Sequence, residues 1–157
     1  MVNMKKLDNK VIAIGTAAAL VVGGLVIYNN KGTEYQDGTY RVEADSFDKS
    51  GWKPFMEMTF KDGLVTDVVF DYMNEDSTKP NKVSDDAYNE RMLKKIGVNP
   101  RIYSKEFAIE LIIEQSPDDI DGVAGASAST KEVQIMSKVL FDKAKSGDTK
   151  TDVISIH

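Results

Sequence analysis

The chain has 157 residues, is 41% hydrophobic and 29% charged, and carries a net charge of −5, the composition of one globular domain. It contains no cysteine, which excludes disulfides, thiolate-held metals, iron–sulfur clusters and a lipid-anchored cysteine. Its one histidine is the terminal His157, so histidine-based triads and metal catalysis lack their residues, and the acidic balance argues against nucleic acid as a partner.

Residues 1–30 read as a signal anchor. Lys5, Lys6 and Lys10 precede an uncharged stretch at 11–28, near the lower length limit for a membrane-spanning helix. Lysines before the stretch and an acidic remainder after it place the N-terminus in the cytoplasm and the domain outside the cell. The apolar run before Ala17 and Ala19 is too short for cleavage there. Leu25, Val26 and Ile27 carry it past Gly23 and Gly24, so the segment is expected to stay as a single-pass transmembrane helix. Residues 31–38 are polar and read as a linker. Residues 39–157 form the domain.

From Thr39 the pattern alternates, with Tyr40, Val42 and Ala44 on one face of a predicted strand. Residues 55–60 give a second strand facing inward through Met56, Met58 and Phe60. Asp62-Gly63 is a hairpin signal. A third strand at 64–72 places Leu64, Val68, Phe70 and Tyr72 on one face, in meander order. Helices follow. Ser84 is the expected cap of the first, with Asp85 and Asp86 at its positive end, and Tyr88, Met92 and Ile96 form its apolar face. Gly97 and Pro100 stop it. A second helix covers 103–114, with Tyr103, Phe107, Leu111, Ala108 and Ile112 on adjacent rows, and a third covers 129–145, with Val133, Met136, Leu140 and Ala144 buried. The tail, despite Val153, Ile154 and Ile156, is not assigned as a strand. Strands first and helices after predict an α+β fold, an antiparallel sheet packed against helices.

The loop before the third helix is the segment with chemical content. Asp121, Gly122, Val123, Ala124, Gly125, Ala126, Ser127, Ala128, Ser129 and Thr130 lead into a helix start, where free backbone N–H groups favour an anion. Gly125 and Ala126 allow close approach, and Ser127, Ser129 and Thr130 bring three hydroxyls. This reads as a phosphate cradle or as a plain turn with a serine cap. It is not a P-loop, since no Gly-Lys-Ser/Thr follows.

The run from Asp121 to Ser127 resembles the flavinylation motif of the FMN-binding domain family, which includes the flavin-bearing subunits of the Rnf and sodium-pumping NADH:quinone oxidoreductase complexes. That motif runs Asp, two variable residues, Ser or Thr, Gly, Ala, then Thr or Ser. Asp37-Gly38-Thr39-Tyr40 resembles the family's first strand entry, and 61–68 its central hairpin. Asp71-Tyr72-Met73-Asn74, with 84–89 and Met92, is similar to the surface flavoproteins of extracellular electron transfer in Gram-positive bacteria. The resemblance covers roughly residues 37–144. It implies FMN bonded through its phosphate to Ser127 and a cofactor site comprising Asp121, Gly125, Ala126, Ser129 and Thr130. It further implies an FAD:protein FMN transferase, dependent on magnesium, as maturation partner, a membrane quinone or NADH dehydrogenase-type electron donor, and electron transfer at the outer face of the cell membrane. Two departures stand out: Ala124 replaces the usual hydroxyl residue, and Ser127 replaces the commoner threonine. A reversible FMN-dependent reductase and a flavin-free binding module of the same fold are the rival expectations.

Other candidates are weaker. Trp52, Phe55 and Tyr72 suit stacking on a flavin ring, but strand aromatics are more often core. Lys79, Lys82 and Arg91 suit a phosphate or a reduced flavin, but basic residues of polar loops are usually solvated. Asp118, Asp119 and Asp121 read better as a solvated turn than as a cation site, so no metal is expected.

Overall fold

A computed structural model describes residues 34–156. The predicted anchor and residues 31–33 of the predicted linker lie outside them. Among the described residues no helix is long and apolar enough to cross a membrane.

The domain is α+β. Strands β1 (Gly38–Ala44), β2 (Trp52–Lys61) and β3 (Leu64–Asn74) form the predicted meander. A short 3-10 turn (Lys82–Ser84) leads to α1 (Asp86–Ile96), α2 (Pro100–Glu114) and α3 (Ser127–Ser146), and β4 (Asp152–Ile154) closes the chain. The strand order is β3-β2-β1-β4. The alternation read from the sequence puts Tyr40, Val42, Met56, Met58, Phe60, Val68, Phe70 and Tyr72 on one face, all buried. That face is covered by Phe107 and Leu111 of α2 and by Val133, Met136, Leu140 and Ala144 of α3. The opposite face carries Arg41, Glu43, Lys53 and Glu57 in one ion-pair cluster. There the Arg41 guanidinium lies 4.2 Å over the Phe55 ring, so Phe55 is buried away from the core. A sheet covered on one face only is the arrangement antiparallel meanders favour.

Four expectations change. The sheet is mixed rather than antiparallel, because the tail pairs parallel to β1, with Val42 opposite Asp152 and Ala44 opposite Ile154. The pairing follows from a side chain outside the strand. Lys143 is only 4% exposed and reaches Asp152 at 2.8 Å and Asp148 at 3.5 Å, folding the tail back over the end of α3. Second, Val65 and not Leu64 faces the core. Thr59 is opposite Asp67 but Phe60 is opposite Val65, so β3 carries one extra residue and the alternation slips there. Gln115 fills the irregularity: its side-chain amide accepts from Val65 N at 2.8 Å and donates to Val65 O at 2.9 Å, as a neighbouring strand would. Third, Pro100 starts α2 instead of stopping α1. It sits in the first turn, where its missing N–H is not needed, behind Asn99, whose side chain accepts from Ile102 N. Likewise Asp85, not Ser84, caps α1, accepting from Tyr88 N at 2.9 Å.

The chain joins the fold before residue 39. The Tyr35 ring packs on Phe60 and Phe141, each at 5.2 Å, and Gln36 N bonds Ala144 O at 2.8 Å.

α1 is the least buried of the three helices. Its one buried residue is Asn89, whose amide nitrogen donates to the carbonyls of Lys82, Val83 and Asp85, while its oxygen accepts from Arg101 N. Tyr88 and Met92 are half-buried and Ile96 is 42% exposed, so the predicted apolar face of α1 is only partly covered.

The slip in β3 gives a direct expectation. Val65→Ala is expected to lower unfolding stability by about 2 kcal/mol, whereas Leu64→Ala should stay within about 0.5 kcal/mol. Urea denaturation of the two variants checks it; equal losses would reject the described register.

Candidate functional site

The loop before α3 is held from both sides. Ile120 and Ala126 are buried. Asp121 N donates to Glu110 Oε1 at 2.8 Å, and Gln134 Nε2 to Ile120 O at 3.3 Å. Thr130 clamps the turn, its hydroxyl donating to Ala126 O at 3.0 Å and accepting from Val123 N at 3.3 Å. Gly125 has φ +82, in the left-handed region, and a Cβ there would stand 2.9 Å from Val98 Cγ1. Glycine is therefore required twice over at this position, by backbone conformation and by the approach of Val98.

The three hydroxyls of the loop separate. Those of Ser129 and Thr130 turn inward, and both residues are 8% exposed. Ser127 is exposed at the first position of α3 and its hydroxyl makes no hydrogen bond among the described residues. The residue before it, Ala126, offers no capping side chain. Thr130 N is the first amide of the helix to find a backbone acceptor, Ala126 O at 2.8 Å, so the amides of 127–129 point outward without one. An exposed hydroxyl beside three free N–H donors suits a phosphate ester. Asp121 and Ala124 are exposed on the same loop. Of the six predicted site residues, Gly125, Ala126, Ser129 and Thr130 thus frame or support Ser127 at short range, while Asp121 stands at the outer end of the loop.

Beneath the loop lies a polar cluster only partly foreseen. Tyr72 is 3% exposed; its hydroxyl is 2.7 Å from Ser129 Oγ and also bonds the Glu132 carboxylate. The phenol has one proton, which goes to the carboxylate as the stronger acceptor, and it then accepts the proton of Ser129. Burial, reinforced by the Glu132 charge, raises the Tyr72 pKa far above that of a free tyrosine. Burial likewise pushes Tyr103 up to about 12, with hydrogen bonding to Ser129 and Tyr72 acting against it. Tyr72 was legible as inward-facing. Tyr103 was legible likewise, on the apolar rows of its helix; Glu132 was not, although a buried phenol needs a partner.

The basic candidates also separate. Lys79 and Arg91 are exposed, Lys79 near Asp76 and Arg91 over the Tyr88 ring at 5.0 Å. Lys82, read as a solvated loop residue, is 7% exposed instead. Trp52 and Tyr72 are buried in the core, and Phe55 is buried under Arg41 on the opposite face of the sheet. Among the described residues no three His, Asp or Glu side chains come together as metal ligands would, and Asp118 pairs with Lys138 at 3.0 Å.

Two outcomes test this architecture. Gly125→Ala should cost about 1–3 kcal/mol from strain at positive φ, read by thermal unfolding; a smaller loss would mean that the loop relaxes. Tyr72 keeps its proton in the fold at pH values where the unfolded chain, near the ordinary value of 10.0, has lost it. Its contribution is therefore whole below that pH and is lost as pH rises beyond it. Tyr72→Phe should destabilise by about 1–3 kcal/mol at neutral pH and flatten the alkaline fall in stability, which denaturation series across pH will show.

No family model matches the chain. The 15 kDa lipoprotein of Treponema pallidum is 33% identical over 119 residues, which are 76% of this chain and 82% of that protein. The crystal structure of a Clostridium perfringens protein superposes with a TM-score of 0.73 at 28% identity, covering 78% of this chain and 99% of that one. With that identity over most of both sequences, the chain belongs to the family of the 15 kDa lipoprotein.

Proposed function

We propose that the chain is a membrane-anchored extracellular electron carrier whose FMN is bonded through its phosphate to Ser127. One observation carries the reading: of the loop's three hydroxyls, only that of Ser127 is exposed and unbonded, at the start of a helix whose first amides lack acceptors. The resemblance of Asp121–Ser127 to a flavinylation motif gives that hydroxyl its chemistry. Ser127 Oγ would attack the phosphorus of the FMN half of FAD. The new O–P bond forms as the bond to AMP breaks, AMP leaves, and the hydroxyl proton passes to a base of the transferase. The amides of 127–129 would then face the phosphodiester, and Gly125 lets the backbone approach it. When bound, FMN supplies conversion between hydride transfer and single-electron transfer. A covalent tether suits a site outside the cell, where a dissociated cofactor would be lost by diffusion.

Membrane attachment rests on the predicted anchor at 1–30 and on the relative, which is a lipoprotein. The sequence has no cysteine, so attachment would run through the apolar segment rather than a lipid thioether. An FAD:protein FMN transferase for maturation and a membrane quinone or NADH dehydrogenase-type donor are the partners this reading requires. Ala124, exposed where the motif carries a hydroxyl, favours the flavin-free binding module as the second reading.

Full-length chain co-expressed with an active FAD:protein FMN transferase should, after denaturation, show the intact mass raised by one FMN less one water. Ser127→Ala should abolish the gain while leaving the fold unchanged by circular dichroism. No gain in the wild type would end the carrier reading in favour of the binding module. Flavin that leaves on denaturation would instead support a reversible reductase.

A further inference from the structure

The helix α1 has a partly covered apolar face with a distinct group at each end. At one end Ile96 rests on the loop: a Cβ at Gly125 would lie 3.8 Å from Ile96 Cδ1 and 2.9 Å from Val98 Cγ1, two residues before Ser127. At the other end the Tyr88 ring meets Trp52 edge-on at 5.6 Å. Between them Met92 is half-buried and Leu93 beside it is 45% exposed. Eight residues separate Ile96 from Tyr88, about 12 Å along a helix.

Lys82 stands at the Tyr88 end. Its ammonium lies 3.8 Å from the centre of the Tyr72 ring, 5.2 Å from that of Trp52 and 5.3 Å from that of Tyr88. It has no hydrogen-bond acceptor and no carboxylate within 4.0 Å among the described residues, although it is 93% buried (7% exposed). The acids whose fields reach it are Asp48, Glu132 and Asp71. All three are engaged elsewhere, Asp48 by accepting from Ser50 N at 2.7 Å and Trp52 N at 3.0 Å. Asp71 accepts from Val83 N at 2.9 Å and Tyr72 N at 2.7 Å, and Glu132 holds the Tyr72 hydroxyl. An ammonium faced by aromatic rings and distant acids, on a mostly buried side chain and with no carboxylate in contact, is incompletely neutralised. Burial also lowers its pKa, in keeping with the missing partner.

We infer that the face of α1 from Ile96 through Met92 to Tyr88 seats the planar ring of a flavin tethered at Ser127, and that Lys82 opposes the negative charge the ring gains on reduction. The inference rests on the proposed attachment at Ser127. An apolar strip starting beside the acceptor hydroxyl and ending at a buried lysine among aromatic rings matches a phosphate joined by a polyol chain to a flat, mostly apolar ring. The charge falls at the end of the strip away from the phosphate. Lys82 is then a positioning and potential-setting residue, not a reactant.

The test uses full-length chain in detergent after co-expression with the transferase. Intact mass first reports attachment. In the wild type an induced circular dichroism in the visible flavin band is expected, since a seated ring is held in a chiral surrounding; its absence, with flavin attached, would overturn the proposal without any variant. Lys82→Gln should keep the mass gain but weaken the preference for the reduced form at least tenfold, a fall of about 30 mV in the two-electron midpoint potential. Lys82→Arg, which keeps the charge, should stay near the wild type. An unchanged potential in folded, flavin-bearing Lys82→Gln would overturn the role of Lys82. Loss of the mass gain in the wild type would overturn the attachment itself, and with it this inference.

Discussion

The hydroxyl of Tyr72 is the constraint on which the arrangement turns. It is buried where β3 meets the first turn of α3 and has one proton to place. Leaving such a group unpaired in the interior would cost about 1–3 kcal/mol. Glu132 and Ser129 satisfy it, and both belong to α3. The bond to Ser129 therefore fixes not only the position of α3 against the sheet but also its rotation. Helical residues advance roughly 100° each, so with Ser129 turned inward, Ser127 lies about 200° around and faces out. Thr130, one residue on, turns inward with Ser129 and closes the loop. The exposure of the Ser127 hydroxyl is thus a consequence of the buried polar bonding of Ser129 and Tyr72.

Much of this fold is readable from periodicity. Tyr40, Val42, Met56, Met58 and Phe60 alternate without interruption and point where the alternation says. The stripe of Val133, Met136, Leu140 and Ala144 behaves likewise. What escapes are features set by contacts distant in sequence. The extra residue in β3 is stabilised by the amide of Gln115, 50 residues away, and nothing local announces it. The parallel strand β4 depends on Lys143, whose sequence context is that of a solvated lysine near a helix end. Three residues with one isoleucine carry too weak a pattern to assign alone. At Pro100 the local signal was present but ambiguous, since proline both ends helices and begins them.

The site shows the same division. The small residues and hydroxyls of the loop stand out in the sequence because their types are unusual together. Which hydroxyl is available is decided by Tyr72, 57 residues from Ser129. The environment of Lys82 is equally non-local, built from Trp52, Tyr72 and Tyr88 on three separate elements. Composition around Lys82 is polar, so its burial could be learned only from the folded chain. The ambiguity of α1 has a related cause: its repeat of Tyr88, Met92 and Ile96 correctly marks an apolar face, but not whether the protein itself covers it.

One further consequence follows from where the chain enters the domain. Gln36 is bonded to Ala144 in the last turn of α3, while Ser127 is that helix's first residue. A helix of 20 residues is roughly 30 Å long. Entry point and Ser127 hydroxyl thus lie at opposite ends of α3. Anything tethered through the entry point carries Ser127 at the far end of that helix, and a pivot at residue 34 would swing that end through an arc of that radius. For a carrier, such an arm sets how far apart donor and acceptor can stand and still be served by one molecule.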